Sequence, residues 1–250
     1  LIVLGVASIV VARALVGEKR YAEAKRQFEL LLQAYPNNPD VVYPVALLAL
    51  QENDQALAEA QLKHLVTLEI PDKSAPNFYL GQLADENKRP QEALDYYRQV
   101  GAGEHYLPAQ LRSAGILAKQ GKLDEARAEL RAAAERSPKQ RVQFTIAEAA
   151  LLRDAKQTEA ALDLLEQALR AEPGQPDLLY ESALLAEKLG RLEVMESRLR
   201  KLIEIQPEGA QAYNALGYSY ADRKLRLPEA QQLIEKALQL APNDPFILDS

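Results

Sequence analysis

Residues 91–97 read QEALDYY and residues 124–130 read DEARAEL, and the two stretches share one pattern. In each, a small residue just after an acidic residue opens an amphipathic segment. The pattern occurs seven times, with the motif residue at Ala24, Ala60, Ala93, Ala126, Ala161, Met195 and Ala230. Successive motif residues are 33 to 36 residues apart and about 34 on average. A fixed period of this length predicts an array of structural repeats.

Other positions keep the same phase. An apolar residue four places after the motif residue lies on the same helical face, and it is found at Phe28, Tyr97, Leu130, Leu165, Leu199 and Ile234. His64 breaks this rule in the second unit, where we expect a packed core histidine. A proline twelve places after the motif residue ends the helix in five units: Pro36, Pro138, Pro173, Pro207 and Pro242.

Each repeat also needs a first helix that packs closely on the second. Small residues allow two backbones to approach, and we expect them at Gly81, Ala114, Ala183 and Gly217. Proline at the first helical position predicts helix starts at Pro39, Pro176 and Pro245, with Asn38 and Asp244 as N-caps. Strand-like alternation is absent over any useful length of the sequence, so an all-α fold is predicted.

The composition excludes several classes of site. The chain has 250 residues, no cysteine, two histidines and a formal net charge of −6. Disulfides, thiolate metal sites and three-histidine metal sites are therefore excluded. An acidic chain lacks the basic surface that nucleic acid requires. Gly101-Ala102-Gly103 lacks a third glycine, so we interpret it as a linker, with Glu104 and His105 as solvated polar residues. We predict no enzyme, no cofactor and no metal site.

The sequence resembles the tetratricopeptide repeat (TPR) family over nearly its whole length. The resemblance implies a right-handed superhelical solenoid of about seven helix-turn-helix repeats. We predict one array over residues 1–250, as a fragment of a longer array. The expected repeats are 5–38, 39–73, 74–107, 108–140, 141–175, 176–209 and 210–243, and a further repeat starts at 244–250. The apolar run of residues 1–12 is shorter than the ~20 residues of a membrane span, so we assign it to the first helix and expect no membrane insertion.

The resemblance implies that first helices line a concave surface on which proteins or peptides bind. The family's inward-facing positions correspond here to Tyr43, Leu47, Phe78, Gln82, Asp85, Leu111, Lys119, Tyr180, Leu184, Glu187, Asn214, Tyr218 and Asp222. This mixed aromatic, aliphatic and acidic set suits a protein segment with some basic character. Only Asn214, Lys119 and Lys188 fall near the positions of a carboxylate-binding clamp, so we predict that no such clamp is present.

A narrower resemblance covers residues 20–250, including PNDPFILDS at 242–250. This part of the sequence is similar to proteobacterial TPR outer-membrane lipoproteins that act as adaptors for a carboxyl-terminal processing protease. The resemblance implies a periplasmic, outer-membrane-associated adaptor, with a cytoplasmic location as the alternative. Two other functions stay open. One is a scaffold in secretion, pilus or polysaccharide machinery, and the other is the repeat region of a larger enzyme such as a glycosyltransferase.

Overall fold

The computed structural model describes residues 2–248, and it describes side-chain burial for residues 8–245 and for Ile247. Residues 2–248 form helices joined by short turns and contain no β-strand. The helices are α1 (Ile2–Gly17), α2 (Tyr21–Ala34), α3 (Pro39–Gln51), α4 (Gln55–Thr67), α5 (Ser74–Glu86), α6 (Pro90–Tyr97), α7 (Tyr106–Lys119), α8 (Leu123–Arg136), α9 (Arg141–Asp154), α10 (Thr158–Ala171), α11 (Pro176–Lys188), α12 (Leu192–Ile205), α13 (Ala210–Asp222), α14 (Leu227–Leu240) and α15 (Pro245–Leu248). The predicted all-α fold is confirmed. Leu1 and residues 249–250 of the predicted array lie outside the described residues.

The helices form two compact units, Leu1–Gln120 and Gly121–Ser250. In unit 1, α1 packs on α2, α3 on α4 and α5 on α6, and α7 follows. In unit 2, α8 packs on α9, and α9 in turn forms a pair with α10. The pairs α11–α12 and α13–α14 follow. Each second helix also packs on the first helix of the next pair within its unit. This consecutive pairing is the helix-turn-helix arrangement that the period predicts.

Helix starts follow the predicted capping chemistry. Helices α3, α11 and α15 begin at Pro39, Pro176 and Pro245. The Asn38 side chain accepts a hydrogen bond from the Asp40 backbone N–H at 2.9 Å, which satisfies one of the unpaired donors of the first turn. The Gln175 side chain does the same for the Asp177 N–H at 2.9 Å.

The small residues of the motif form the core of each pair. Ala24, Ala93, Ala126 and Ala161 are fully buried, and Gly81 and Gly217 lie where second helices approach most closely. A Cβ on Gly81 would stand 2.5 Å from the Tyr97 ring, and one on Gly217 would stand 2.8 Å from Ile234. Glycine is therefore required where a large side chain of the second helix crosses the first.

The predicted register of the second repeat is wrong by two residues. Ala60 is exposed, whereas Ala58 and Leu62 are fully buried. With Ala58 as the motif residue, Leu62 takes the apolar position four places later. His64 then lies at the helix margin, half-buried, with its Nε2 atom 3.1 Å from the Pro36 carbonyl oxygen. The histidine that seemed to interrupt the core is therefore outside the core position.

The turn between the two helices of a pair has one recurring backbone form. The second residue after each first helix has a positive φ, between 54° and 77°, at Lys19, Asn53, Lys88, Gly121, Lys156, Gly190 and Lys224. In six of these turns the next N–H donates to the carbonyl five residues earlier, as Arg89 does to Ala84 at 2.8 Å. This is the Schellman ending of a helix, for which glycine is the usual residue. Here lysine fills the position four times.

Ion pairs join second helices of successive pairs. In unit 1, the Arg89 guanidinium binds Glu59 at 2.8 Å and the Lys63 ammonium binds Glu92 at 3.1 Å. In unit 2, Arg200 binds Glu229 at 2.6 Å, and Arg191–Glu159 and Arg198–Glu166 make equivalent pairs. These pairs occur about one repeat apart in sequence, so they help to fix the register of neighbouring repeats.

Candidate partner-binding groove

A groove in unit 2 is lined by the first helices α11 and α13. Five of the predicted binding residues lie along it: Tyr180, Leu184, Glu187, Asn214 and Tyr218. Three-, four- and seven-residue spacings put Tyr180, Leu184 and Glu187 on one face of α11. Tyr218 is 50% exposed and Leu184 is 36% exposed. Both are large side chains left open to solvent, so they are available to a partner.

The groove has two adjoining halves that share Tyr180, Gln211 and Asp244. The half around Tyr218 has a volume of about 370 Å³, and Leu184, Ala215 and Ile247 supply its apolar lining. We call it the tyrosine half. The other half has a volume of about 470 Å³ and includes Asp177 and Glu181. We call it the carboxylate half.

The electrostatics of the groove are acidic. Asp177, Glu181, Glu187 and Asp244 line it, and none of its described lining residues is a lysine or an arginine. Burial of the Tyr180 phenol raises its pKa, and the Glu181 and Glu187 carboxylates raise it further. The ring thus lies in a negative environment.

Hydrogen bonds fix part of the groove. Arg223 donates to Glu187 at 3.0 Å and to the Ser219 hydroxyl at 2.9 Å, which ties α11 to α13. The Tyr213 hydroxyl donates to the Pro207 carbonyl oxygen at 3.1 Å, so this tyrosine supports the turn before α13. The Asn214 Oδ1 atom is buried without a hydrogen-bond partner among the described residues. It is an acceptor that the fold itself does not use.

Several residues that line the groove were not among the predicted ones. Gln211 precedes Asn214 by three residues, and Asp177 precedes Tyr180 by three, so helical spacing could have identified both. Glu181 lies next to Tyr180 and could have been included for the same reason. Asp244 and Ile247 come from the turn after α14 and from α15. The further repeat predicted at 244–250 places a first helix here, although neither residue was among the predicted binding residues.

In unit 1 the predicted positions have different surroundings. Tyr43, Leu47, Gln82, Asp85 and Leu111 are half-buried. The pKa of the Tyr43 phenol is raised by burial and by the neighbouring Tyr79 and Glu104. Of the remaining predicted residues, Lys119 in unit 1 and Asp222 in unit 2 are both exposed.

Phe78 is the predicted surface residue that the structure buries. It is 8% exposed, and the His105 ring stacks on it with centroids 4.8 Å apart. Tyr79 contacts the same histidine edge-on at 5.6 Å. His105 is therefore packed in an aromatic cluster, and its interpretation as a solvated polar residue is wrong. Glu104 is exposed, as expected.

Among the described residues, no group of three or more His, Cys, Asp or Glu side chains could hold a metal ion. No helix over residues 2–248 combines the length and apolar character of a membrane span.

Comparison with known proteins gives family matches and relatives. Tetratricopeptide repeat models match residues 86–149 and 146–194. The TPR repeat-containing protein PA4667 of Pseudomonas aeruginosa is 45% identical over 176 residues, which are 70% of this chain and 30% of that protein. The chain thus spans about a third of the length of this curated relative.

Solved structures are similar in fold. The C-terminal part of a TPR repeat-containing protein from Cytophaga hutchinsonii has a TM-score of 0.63 at 17% identity, with 96% of this chain and 98% of that chain covered. YrrB, a TPR protein with an unusual peptide-binding site, has a TM-score of 0.46 at 17% identity, with 70% of this chain and 90% of that chain covered. Residues 86–194 are thus similar to tetratricopeptide repeats, and the fold of the chain is similar to that of a solved tetratricopeptide repeat structure.

Proposed function

We propose that this chain is a non-catalytic scaffold that binds segments of partner proteins in the groove between α11 and α13. The repeat fold supports protein or peptide binding in general. The observation that carries the specific proposal is the exposure of Leu184 and Tyr218 inside an open groove. Burying large apolar and aromatic side chains is the main source of affinity at protein interfaces, and here the fold leaves these two uncovered.

The finer proposal is a periplasmic, outer-membrane-associated adaptor for a protease or for envelope assembly. The resemblance of residues 20–250 to proteobacterial TPR adaptors supports it. Fractionation of cells that produce the natural full-length protein tests the location. We expect the protein in the outer-membrane fraction, and its recovery in the cytoplasmic fraction would contradict this location.

The binding proposal is tested by the double variant Tyr180→Ala/Tyr218→Ala. The protein and its variant are immobilised and used to capture proteins from an extract of the source cell, followed by quantitative mass spectrometry. We expect the proteins retained by the unchanged chain to fall about tenfold on the variant, because an aromatic contact at the centre of an interface contributes about 1–2 kcal/mol or more. Circular dichroism should show unchanged helix content.

A matched control removes exposed apolar side chains elsewhere in the same unit. Leu225 and Leu227 are 44% and 52% exposed and do not line the groove. The variant Leu225→Ala/Leu227→Ala should retain the captured proteins. Equal losses in the two double variants would mean that the groove is not the binding surface.

A further inference from the structure

The two halves of the groove differ in chemistry and adjoin each other. The carboxylate half contains Asp177 and Glu181, whose carboxylates make no side-chain hydrogen bond or ion pair with the described residues. The tyrosine half contains Tyr218 and Leu184, with Ile247 buried at its margin. Tyr180 lines both halves. A ligand lying along the groove therefore meets Asp177 and Glu181 at one end and Tyr218 and Leu184 at the other, with Asp244 shared by the halves and Glu187 in the tyrosine half.

We propose that the groove selects an extended peptide segment with a lysine or arginine in the carboxylate half and a large apolar side chain in the tyrosine half. This inference rests on the proposed function and specifies its ligand. The charge of the lining residues favours it, because an acidic segment would be repelled by four carboxylates. Tyr180 lines both halves, and an aromatic ring attracts a cation at close range.

The carboxylates have different roles. Glu187 already binds Arg223, and its side chain is about one-quarter exposed. A ligand cation would have to compete with that arginine. Asp177 and Glu181 carry no such partner, so the recognition of positive charge falls mainly on them.

The dimensions fit a short stretch of peptide. The halves measure about 470 and 370 Å³. Cavities of ~300–1,000 Å³ hold drug-sized molecules, so each half accommodates one or two side chains. Binding to so few residues is weak, and we expect dissociation constants in the ~10–100 μM range for a peptide alone.

The test uses four fluorescein-labelled peptides of twelve residues with the same alanine and glycine background. One carries two lysines followed by two leucines, one only the lysines, one only the leucines, and one replaces the lysines with glutamates. Fluorescence anisotropy measures their affinity for the full chain. We expect the lysine-leucine peptide to bind at least tenfold more tightly than the other three.

Charge recognition is tested by Asp177→Asn/Glu181→Gln. This variant should bind the lysine-leucine peptide about tenfold less tightly. Raising NaCl from 50 to 500 mM should weaken its affinity for that peptide much less than it weakens the affinity of the unchanged chain. The control Asp163→Asn/Glu193→Gln neutralises two exposed carboxylates outside the groove, and it should behave as the unchanged chain does.

The outcomes separate the ligand class from the function. If the four peptides bind equally, if none binds, or if the two charge variants behave alike, the proposed ligand class is wrong. The scaffold function would then still stand if Tyr180→Ala/Tyr218→Ala reduces protein capture. If that capture is also unchanged, both the function and its ligand class fail.

Discussion

Phe78 and Tyr180 occupy the same place in their repeats, three residues before the small residues Gly81 and Ala183. Phe78 is 8% exposed beneath the His105 ring, whereas Tyr180 lines an open groove. The difference arises after the second helix of each pair. Helix α6 has eight residues, whereas α12 has fourteen. The residues between α6 and α7 instead carry His105 onto Phe78.

The comparison shows that repeat register and surface availability are separate properties. Register determines which side of a first helix a residue occupies. The following connection determines whether that side stays open. In unit 2, the connection between α12 and α13, residues 206–209, contains no aromatic residue. Leu184 and Tyr218 remain exposed in the groove.

The largest expected effect comes from comparing Phe78→Ala, at the buried position, with Tyr218→Ala, at the exposed one. Removing the buried Phe78 ring leaves a cavity and should lower the free energy of unfolding by about 3 kcal/mol. Removing the half-exposed Tyr218 ring should change it by less than about 0.5 kcal/mol. Urea unfolding followed by circular dichroism measures both. Similar effects of the two substitutions would show that the two faces are not structurally different.

A second test examines the packing beneath the closed face of unit 1. In Gly81→Ala the new methyl group would stand 2.5 Å from the Tyr97 ring, and Tyr97 lies 6.2 Å from Phe78 between ring centroids. We expect a loss of about 1–3 kcal/mol in thermal or urea unfolding.

Gly115→Ala is the matched control, because a Cβ there meets nothing within 4 Å. This helical substitution should stabilise the chain by about 0.5–1 kcal/mol. A destabilising Gly115→Ala together with a neutral Gly81→Ala would contradict the assigned close approach.

The smallest expected effect concerns ion pairs, which lower the pKa of one glutamate in each unit. Hydrogen bonds from Arg89 and Lys63 lower the pKa of Glu59 to about 2. For Glu196, burial raises the pKa, but bonds with Arg200, Tyr220 and Arg226 outweigh it and bring the pKa to about 2. Each folded-state pKa lies below the ordinary value of 4.5. The stabilisation is therefore complete above about pH 4.5 and is lost as pH falls towards 2.

Glu59→Gln should lower stability at pH 7 by about 1 kcal/mol, after allowance for solvent screening of a partly exposed pair. It should also flatten the decline in stability between about pH 4.5 and 2. Glu69→Gln, at an exposed position, should leave that decline unchanged. Identical acid profiles for the two variants would show that the Glu59 ion pairs do not stabilise the fold.

Most of the fold could be predicted from the sequence, because small and apolar residues recur at positions that pack. The exceptions have physical reasons. Ala58 and Ala60 are both alanines two places apart, so composition alone did not identify the buried one. Four of the positive-φ turn positions are lysines, so the sequence showed no glycine that would have marked them. The hydrogen bonds of the turn can hold a residue that is intrinsically unfavourable at positive φ.

The site was predicted less completely. Tyr180, Leu184, Glu187, Asn214 and Tyr218 lie along one groove, because helical spacing is regular, and their role in binding stays a prediction. The burial of Phe78 depended on His105, which comes from a connection without a repeat position. Contacts that arise from irregular segments cannot be obtained from a periodic pattern.

The turn before α14 shows how this architecture tolerates a change in length. Three residues separate the helices of the other pairs in both units, but four separate α13 from α14. The Leu225 N–H still donates to the Tyr220 carbonyl oxygen, and the extra residue, Arg226, adopts a φ of 43°. Its guanidinium lies 5.3 Å from the Tyr220 ring centroid and binds Glu196 at 2.7 Å. The same insertion inside a helix would rotate every later side chain by about 100°. This corner therefore accepts an added residue without disturbing the packing of the pair.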